Sequence, residues 1–154
     1  MSSSSGLTRV ERSFEDFIVG AVYRHWPGRT IYEGDHRFYC LITLNHYYQE
    51  SVVHPGYLYS LLLGMSLNDL AGRLLFHEEN QIVPINPVRY GDTIRAETEV
   101  LSKEEIADKP NRGIVLVRTR GFSQEGTLFM QYERRLGILK ASAGGRQEAV
   151  PRST

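Results

Sequence analysis

Apolar and polar residues change rhythm once along this chain, from helical spacing in the first half to strict alternation in the second. Residues 14–23 mix apolar and acidic positions and run into Trp26-Pro27-Gly28, a turn signal, before the short β-prone stretch 29–32. They predict an opening strand and a turn. Asp35 then stands as a helix N-cap, and Phe38, Leu41, Ile42 and Asn45 follow at spacings that share one face of a short helix. Residues 45–53, NHYYQESVV, have no clean period and predict a loop or a frayed helix end. Pro55 suits the first turn of a helix, where its missing N–H would be unpaired anyway. The helix predicted over 55–70 is the most apolar segment of all: Leu58, Leu61, Leu62, Met65 and Leu70, with Ser60, Gly64 and Ser66 as small faces. A helix apolar on nearly all sides is a buried one.

After Ala71-Gly72 alternation takes over. Strands are predicted over 81–86 (Ile82, Val83, Ile85), 92–101 (Ile94, Ala96, Thr98, Val100), 113–122 (Val115, Val117, Thr119) and 126–138 (Leu128, Met130, Tyr132, Arg134). Tyr90-Gly91-Asp92, the KPNRG run at 109–113 and the SQEG run at 123–126 supply the connections, each with the Gly, Pro or Asn chemistry of a tight turn. One very apolar helix followed by long antiparallel strands has one economical packing: the sheet curls around the helix. The expectation is an α+β chain with a single hotdog domain over 9–140, an antiparallel sheet wrapped around a central helix. Residues 1–8 and 141–154 hold little that could be buried and are expected to be disordered. A sheet edge would remain open, and a second copy of the chain is the expected cover, giving a homodimer.

Composition narrows the function classes. Hydrophobic residues make up 41% and charged residues 23%, with 18 basic against 18 acidic side chains, as in an ordinary soluble globular protein. The basic residues are interleaved with acidic ones, so no nucleic-acid partner is expected. Cys40 is the sole cysteine, which excludes an intrachain disulfide and any CxxC metal or redox motif. It lies in the apolar run 38–44, where a buried thiol is a plainer reading than a nucleophile, and a reduced, cytoplasmic setting fits. Residues 1–6 lack the apolar stretch of a signal peptide and no apolar run is long enough to span a bilayer, so no membrane association is expected.

Four segments, FEDFIVGAVYRHWPGRTIYEGD, LITLN, NPVRYGDTIRAETEVLSK and GIVLVRTRGFSQEGTLFMQYER, resemble in that order the MaoC-like hydratases and dehydratases. That family includes the (R)-specific enoyl-CoA hydratases, and the likeness is greatest to its mesaconyl-CoA hydratase branch. The resemblance implies a thioester substrate on coenzyme A or an acyl-carrier protein, and addition or removal of water across the α,β bond with no metal or redox cofactor. It further implies an Asp or Asn and a His after the short helix that hold and activate the water, and a backbone N–H at the start of the central helix that polarises the carbonyl. The chemistry explains these types. Removing the α-proton of a thioester builds negative charge on the carbonyl oxygen, which an N–H at a helix N-terminus stabilises. A His near neutrality can move the proton to or from water. The chain shows no GxGxxG, Walker loop or HExxH motif.

Carried over by position, Asn45 takes the place of the family's Asp or Asn, and Ser60 that of its small hydroxyl on the central helix. His54 matches the His of an HG turn, but Pro55 follows it, which moves the oxyanion donor to Gly56. The family's NPxHxD stretch is replaced by HYYQES after Asn45. An ungapped count puts Glu50 in place of the catalytic His; a deletion makes His46 or His54 the candidate. Each has a plain alternative: His46 as a surface imidazole, His54 as a helix-start residue, Glu50 as a solvated carboxylate. Tyr47 and Tyr48 either donate to a carbonyl or cover the shortened opening. His36 and His77 read as surface or boundary residues without a nameable partner, Asp92 as turn chemistry, and Glu97, Glu99, Arg118 and Arg120 as the solvent face of a sheet. The leading expectation is a hydratase or dehydratase with an altered catalytic loop. Its rivals are a non-catalytic acyl-thioester-binding subunit and a hotdog thioesterase in which Glu50 directs the water.

Overall fold

The computed structural model describes residues 11–45 and 52–143. A 3-10 turn at Phe14–Asp16 precedes β1 (Val22–Thr30), α1 (Glu33–Ile42), α2 (Pro55–Leu70), β2 (Leu74–Pro84), β3 (Thr93–Glu105), β4 (Arg112–Phe122) and β5 (Leu128–Leu139). The strands form one antiparallel sheet in the order β1-β3-β4-β5-β2. The sheet wraps α2, which is the hotdog arrangement expected from the sequence.

The alternation in β3, β4 and β5 aims every second side chain at that helix. Around the front half of α2, Leu58, Leu62 and Met65 pack with Ile94, Ala96, Phe129, Met130 and Tyr132. Around its rear, Leu70 packs with Phe14, Phe17, Val100, Val115, Val117, Leu136 and Ile138. Each fully buried aliphatic side chain contributes about 1.5–3 kcal/mol, so this helix is the centre of the stability as well as of the shape.

The first half departs from expectation. Residues 14–21 are not a strand, which begins only at Val22. Asp16 accepts hydrogen bonds from the Ser13 backbone and hydroxyl, both at 2.7 Å, and the tight turn this closes drives Phe14 and Phe17 into the rear core. Trp26-Pro27-Gly28 is not a turn but a bulge inside β1, between His25 and Arg29. Pro27 is tolerated because β1 is an edge strand, where a missing donor costs no ladder bond. α1 starts at Glu33 with Tyr32 rather than Asp35 as its N-cap, and it ends before Asn45. Its inward positions are His36 and Cys40, so Phe38, Leu41 and Ile42 point outward, each more than 60% exposed.

β2 begins at Leu74 rather than at 81, because an edge strand with mostly exposed positions carries little alternation to read. β5 starts at Leu128. Residues 1–8 and 144–154 lie outside the described residues, whereas 141–143 remain pinned to the domain. There the Ala141 N–H donates to the Glu15 carboxylate, and Arg73 donates to the Ala143 carbonyl.

Candidate active site at the start of the buried helix

Pro55 at the first position of α2 has no N–H to offer, and the Tyr57 and Leu58 N–H groups donate to the His54 carbonyl at 3.0 and 3.3 Å. That leaves the Gly56 N–H as the first-turn donor at the positive end of the helix. It is engaged: the His54 ring turns back and accepts it on Nδ1 at 3.0 Å. The Gly56 N–H, the candidate oxyanion donor, thus lies on the first turn of α2 with the His54 imidazole occupying it. An Nδ1 that accepts the Gly56 N–H leaves the ring proton of a neutral His54 on Nε2.

His36 sets this arrangement from behind. It is fully buried, which corrects its assignment as a surface residue. The His54 backbone N–H donates to His36 Nε2 at 2.9 Å, and His36 Nδ1 donates to the Tyr90 hydroxyl at 2.9 Å. Tyr39 and Tyr57 close the surround, with Tyr39 ring centroids 5.9 Å from His54 and 5.4 Å from Tyr57. A methyl group on Gly56 would stand 2.6 Å from the Tyr39 hydroxyl and 3.0 Å from His54 Nδ1, so a larger residue there would displace these side chains. On the other flank of Pro55 lies a cavity of about 210 Å³ lined chiefly by Val53, Leu58, Pro84, Ile85, Val88 and Phe129. It is an apolar slot beside a polar helix tip.

The other candidates fall as follows. Asn45 follows the end of α1, half-buried, with its N–H donating to the Cys40 carbonyl at 2.9 Å. Ser60 is exposed on the outer side of α2 and its hydroxyl donates to the Gly56 carbonyl at 2.9 Å. His46, Tyr47, Tyr48 and Glu50 lie outside the described residues. Cys40 is buried, 3.5 Å from His36 Nε2. His77, assigned no partner from the sequence, stands against the Glu79 carboxylate at 2.5 Å. Asp92 holds its turn, accepting from the Arg89 N–H at 2.8 Å, and Arg120 bridges Glu97 and Glu99 at 3.1 and 3.2 Å on the outer sheet face. Among the described residues no cluster of three or more His, Cys, Asp or Glu side chains is placed to hold a metal ion, and no helix is long and apolar enough to cross a membrane.

A second polar chain, missed in the sequence, runs beneath the far end of α2. His25 is buried with Nδ1 2.5 Å from Asp69 and Nε2 2.7 Å from the Thr98 hydroxyl. Thr98 joins Thr119 at 2.9 Å, and Arg134 donates to Thr119 at 3.0 Å and to Ser66 at 2.9 Å. Asp69 lies more than three helical turns from Gly56, about 20 Å along the axis. This chain ties the rear of α2 to the sheet and does not reach the tip. Its sequence signal was present, since Arg134 falls on the inward register of β5.

Burial pulls both His25 and His36 below the usual histidine range; the Asp69 carboxylate opposes it at His25 without overcoming it, and the Arg37 charge adds to it at His36. A folded-state value below the unfolded one means the unfolded chain binds protons first as pH falls. The stability these neutral rings contribute is complete above about pH 6.5 and is lost as the pH drops toward their folded values, at no more than about 1.4 kcal/mol per pH unit for each. Asp16, lowered by its Ser13 hydrogen bonds, and Glu79, lowered by Tyr59 and His77 against its burial, act at lower pH, below the ordinary carboxylate range. Melting temperature measured from pH 8 to pH 5 is expected to fall on the acid side of about 6.5. A flat profile down to pH 5 would show that the two imidazoles are not held neutral.

The fold and the helix tip together define a hotdog domain of the MaoC-like class. The mesaconyl-CoA hydratase family model matches residues 7–148, and the chain belongs to that family. It is 28% identical over 150 residues to mesaconyl-CoA hydratase of Cereibacter sphaeroides, covering 86% of this chain and 43% of that protein. It is 31% identical over 119 residues to β-methylmalyl-CoA dehydratase of Chloroflexus aurantiacus, covering 69% of this chain and 34% of that protein. The chain thus spans less than half the length of these curated relatives. Among solved structures, a MaoC domain protein from Chloroflexus aurantiacus superposes with a TM-score of 0.82 at 20% identity over 97% of this chain and 46% of its own. A Mycobacterium tuberculosis protein described as having a double hotdog fold superposes at 0.77 with 19% identity, over 88% of this chain and 46% of its own.

Proposed function

We propose that this chain adds or removes water at the α,β position of an acyl thioester, with the start of α2 as the site. The observation that carries the reading is the Gly56 N–H at the positive helix end, held by His54 and flanked by an apolar slot. A thioester carbonyl oxygen that displaces the His54 ring would take the Gly56 N–H and the helix dipole, which favour the negative charge that builds as the α-proton leaves. The displaced imidazole would then be free beside the reacting carbons to pass a proton to or from water. His36 acts as a positioning residue, because it holds the His54 backbone. The slot of about 210 Å³ suits a short acyl chain. Asn45, His46, Glu50, Tyr47, Tyr48 and Ser60 remain the further candidates for holding the water and the carbonyl. Coenzyme A is the carrier favoured by the relatives, with an acyl-carrier protein as the alternative, and no cofactor enters the reaction.

The same reading pairs the domain with a second hotdog domain, a copy of itself. Two observations support it: the relatives carry about twice this length, and α1 turns Phe38, Leu41 and Ile42 outward beside the site. A reduced, cytoplasmic location accords with the buried thiol of Cys40. One observation favours a second reading. The engaged Gly56 N–H would equally suit a subunit that binds an acyl thioester without turning it over.

The test mixes purified protein with crotonyl-CoA, mesaconyl-CoA and a saturated acyl-CoA, following the enoyl absorbance and free thiol. Loss of enoyl signal is expected, with His54→Ala lowering kcat by about 10²-fold or more while the fold holds. Thiol release would replace the reading with a thioesterase. Binding without turnover would replace it with the silent subunit, and an unchanged rate in His54→Ala would remove His54 from the mechanism.

A further inference from the structure

We propose that a second cleft, on the outer face of the sheet, binds a nucleoside phosphate. The cleft measures about 780 Å³ and lies between the β1 bulge and the turn that joins β4 to β5. Its size falls in the range of small-molecule sites. Arg24 and Arg95 line it from neighbouring strands, with Trp26, Phe122 and Gln124 around them.

The two arginines bring positive charge to the cleft from adjacent strands. Arg24 stands opposite Glu97 in the β1–β3 register, yet Glu97 is engaged by Arg120 at 3.1 Å. Among the described residues neither Arg24 nor Arg95 forms an ion pair. Of the two carboxylates that line the cleft, Glu97 is therefore spoken for and Glu125 stands on the turn. Arg95 is two positions from Glu97 on β3, so the pair is set diagonally, about 7–8 Å apart at the backbone. Two long arginine side chains rooted that close can converge on one diphosphate, each guanidinium donating a bidentate pair of hydrogen bonds to phosphate oxygens.

Trp26 supplies the other half of the recognition. The bulge holds its indole 86% exposed, which leaves a broad aromatic face open at the cleft. A purine or pyrimidine stacks on such a face whatever its identity. The combination of an open indole and two unpaired arginines selects a planar base carrying phosphates over a phosphate alone or an apolar ligand alone. The chemistry is shared by a free nucleotide and by the nucleotide end of coenzyme A.

Trp26 is the sole tryptophan, so its emission reports on the cleft directly. The full chain is titrated with ADP, adenosine, inorganic phosphate and coenzyme A. ADP is expected to quench Trp26 saturably, with adenosine and phosphate each at least about tenfold weaker, the loss expected when charged hydrogen bonds or stacking are removed. Changing Arg24→Ala and Arg95→Ala together is expected to weaken ADP by about tenfold or more with the circular dichroism spectrum unchanged. Coenzyme A that competes with ADP identifies the cleft as the handle of a thioester; ADP bound without competition from coenzyme A identifies a separate nucleotide. Either result supports the site. Absent saturable quenching by ADP, equal binding of adenosine, or an ADP affinity untouched in the double variant overturns it. None of these readouts involves enoyl hydration, so failure here leaves the proposed reaction standing.

Discussion

Gly121→Val is expected to cost the protein about 3 kcal/mol or more, enough to remove much of the stability of a domain this size. Gly121 lies on β4 facing α2, and a Cβ there would meet Phe129 at 2.5 Å and Leu62 at 2.7 Å. Both neighbours are within 1% of complete burial, so neither can step aside into solvent. The helix would have to lift off the sheet, and the cores at both of its ends would loosen with it. Gly64→Ala supplies the contrast. Its Cβ would meet nothing within 4 Å, and alanine is the better helix former, so a gain of about 0.5–1 kcal/mol is expected. Urea midpoints for the two variants test the pair. A Gly121→Val protein as stable as the parent would mean that α2 is not pressed against the sheet at this point.

The second large effect has the opposite sign. Arg134→Met is expected to raise stability by about 1–3 kcal/mol. Arg134 is fully buried, its Nε and Nη1 have no hydrogen-bond partner among the described residues, and no carboxylate lies within ion-pair distance. Burial holds its guanidinium below the usual arginine range. Removing it strands nobody: Ser66 keeps its bond to the Leu63 carbonyl at 2.8 Å and Thr119 keeps Thr98 at 2.9 Å. Methionine fills most of the volume without the charge, whereas Arg134→Ala leaves a cavity and is expected to lose about 2 kcal/mol or more. Thermal and urea unfolding of both variants decide it. A methionine variant less stable than the parent would show that the charge is matched by groups beyond the hydrogen bonds seen here.

Legibility followed the length and regularity of the pattern. The bounds of α2 were readable to the residue because Pro55 marks its start and leucines and Met65 recur through it to Leu70. β3, β4 and β5 were readable because central strands buried on one face alternate strictly. β1 and β2 were not, since edge strands tolerate a proline, a bulge and exposed positions that blur the period. At the site, His54 and Gly56 stood where local order placed them, on the first turn of a helix already recognised. His36 was misread because its burial depends on which side of α1 meets α2, and neither Phe38 nor Leu41 betrays that they face outward.

By itself the sequence determined the hotdog plan and the address of the candidate site, because a single greasy helix and long alternating strands can bury their apolar faces in only one economical way. Tertiary packing decided the rest: that the Gly56 N–H is held by His54, that His36 stands behind it, and that His25, Asp69 and Arg134 form one buried chain. The His54–Gly56 contact is local but turns on a side-chain rotamer, and the others join residues 15 to 73 positions apart; hydrogen bonds and desolvation act at a few ångströms in space, a distance that no spacing along the chain encodes.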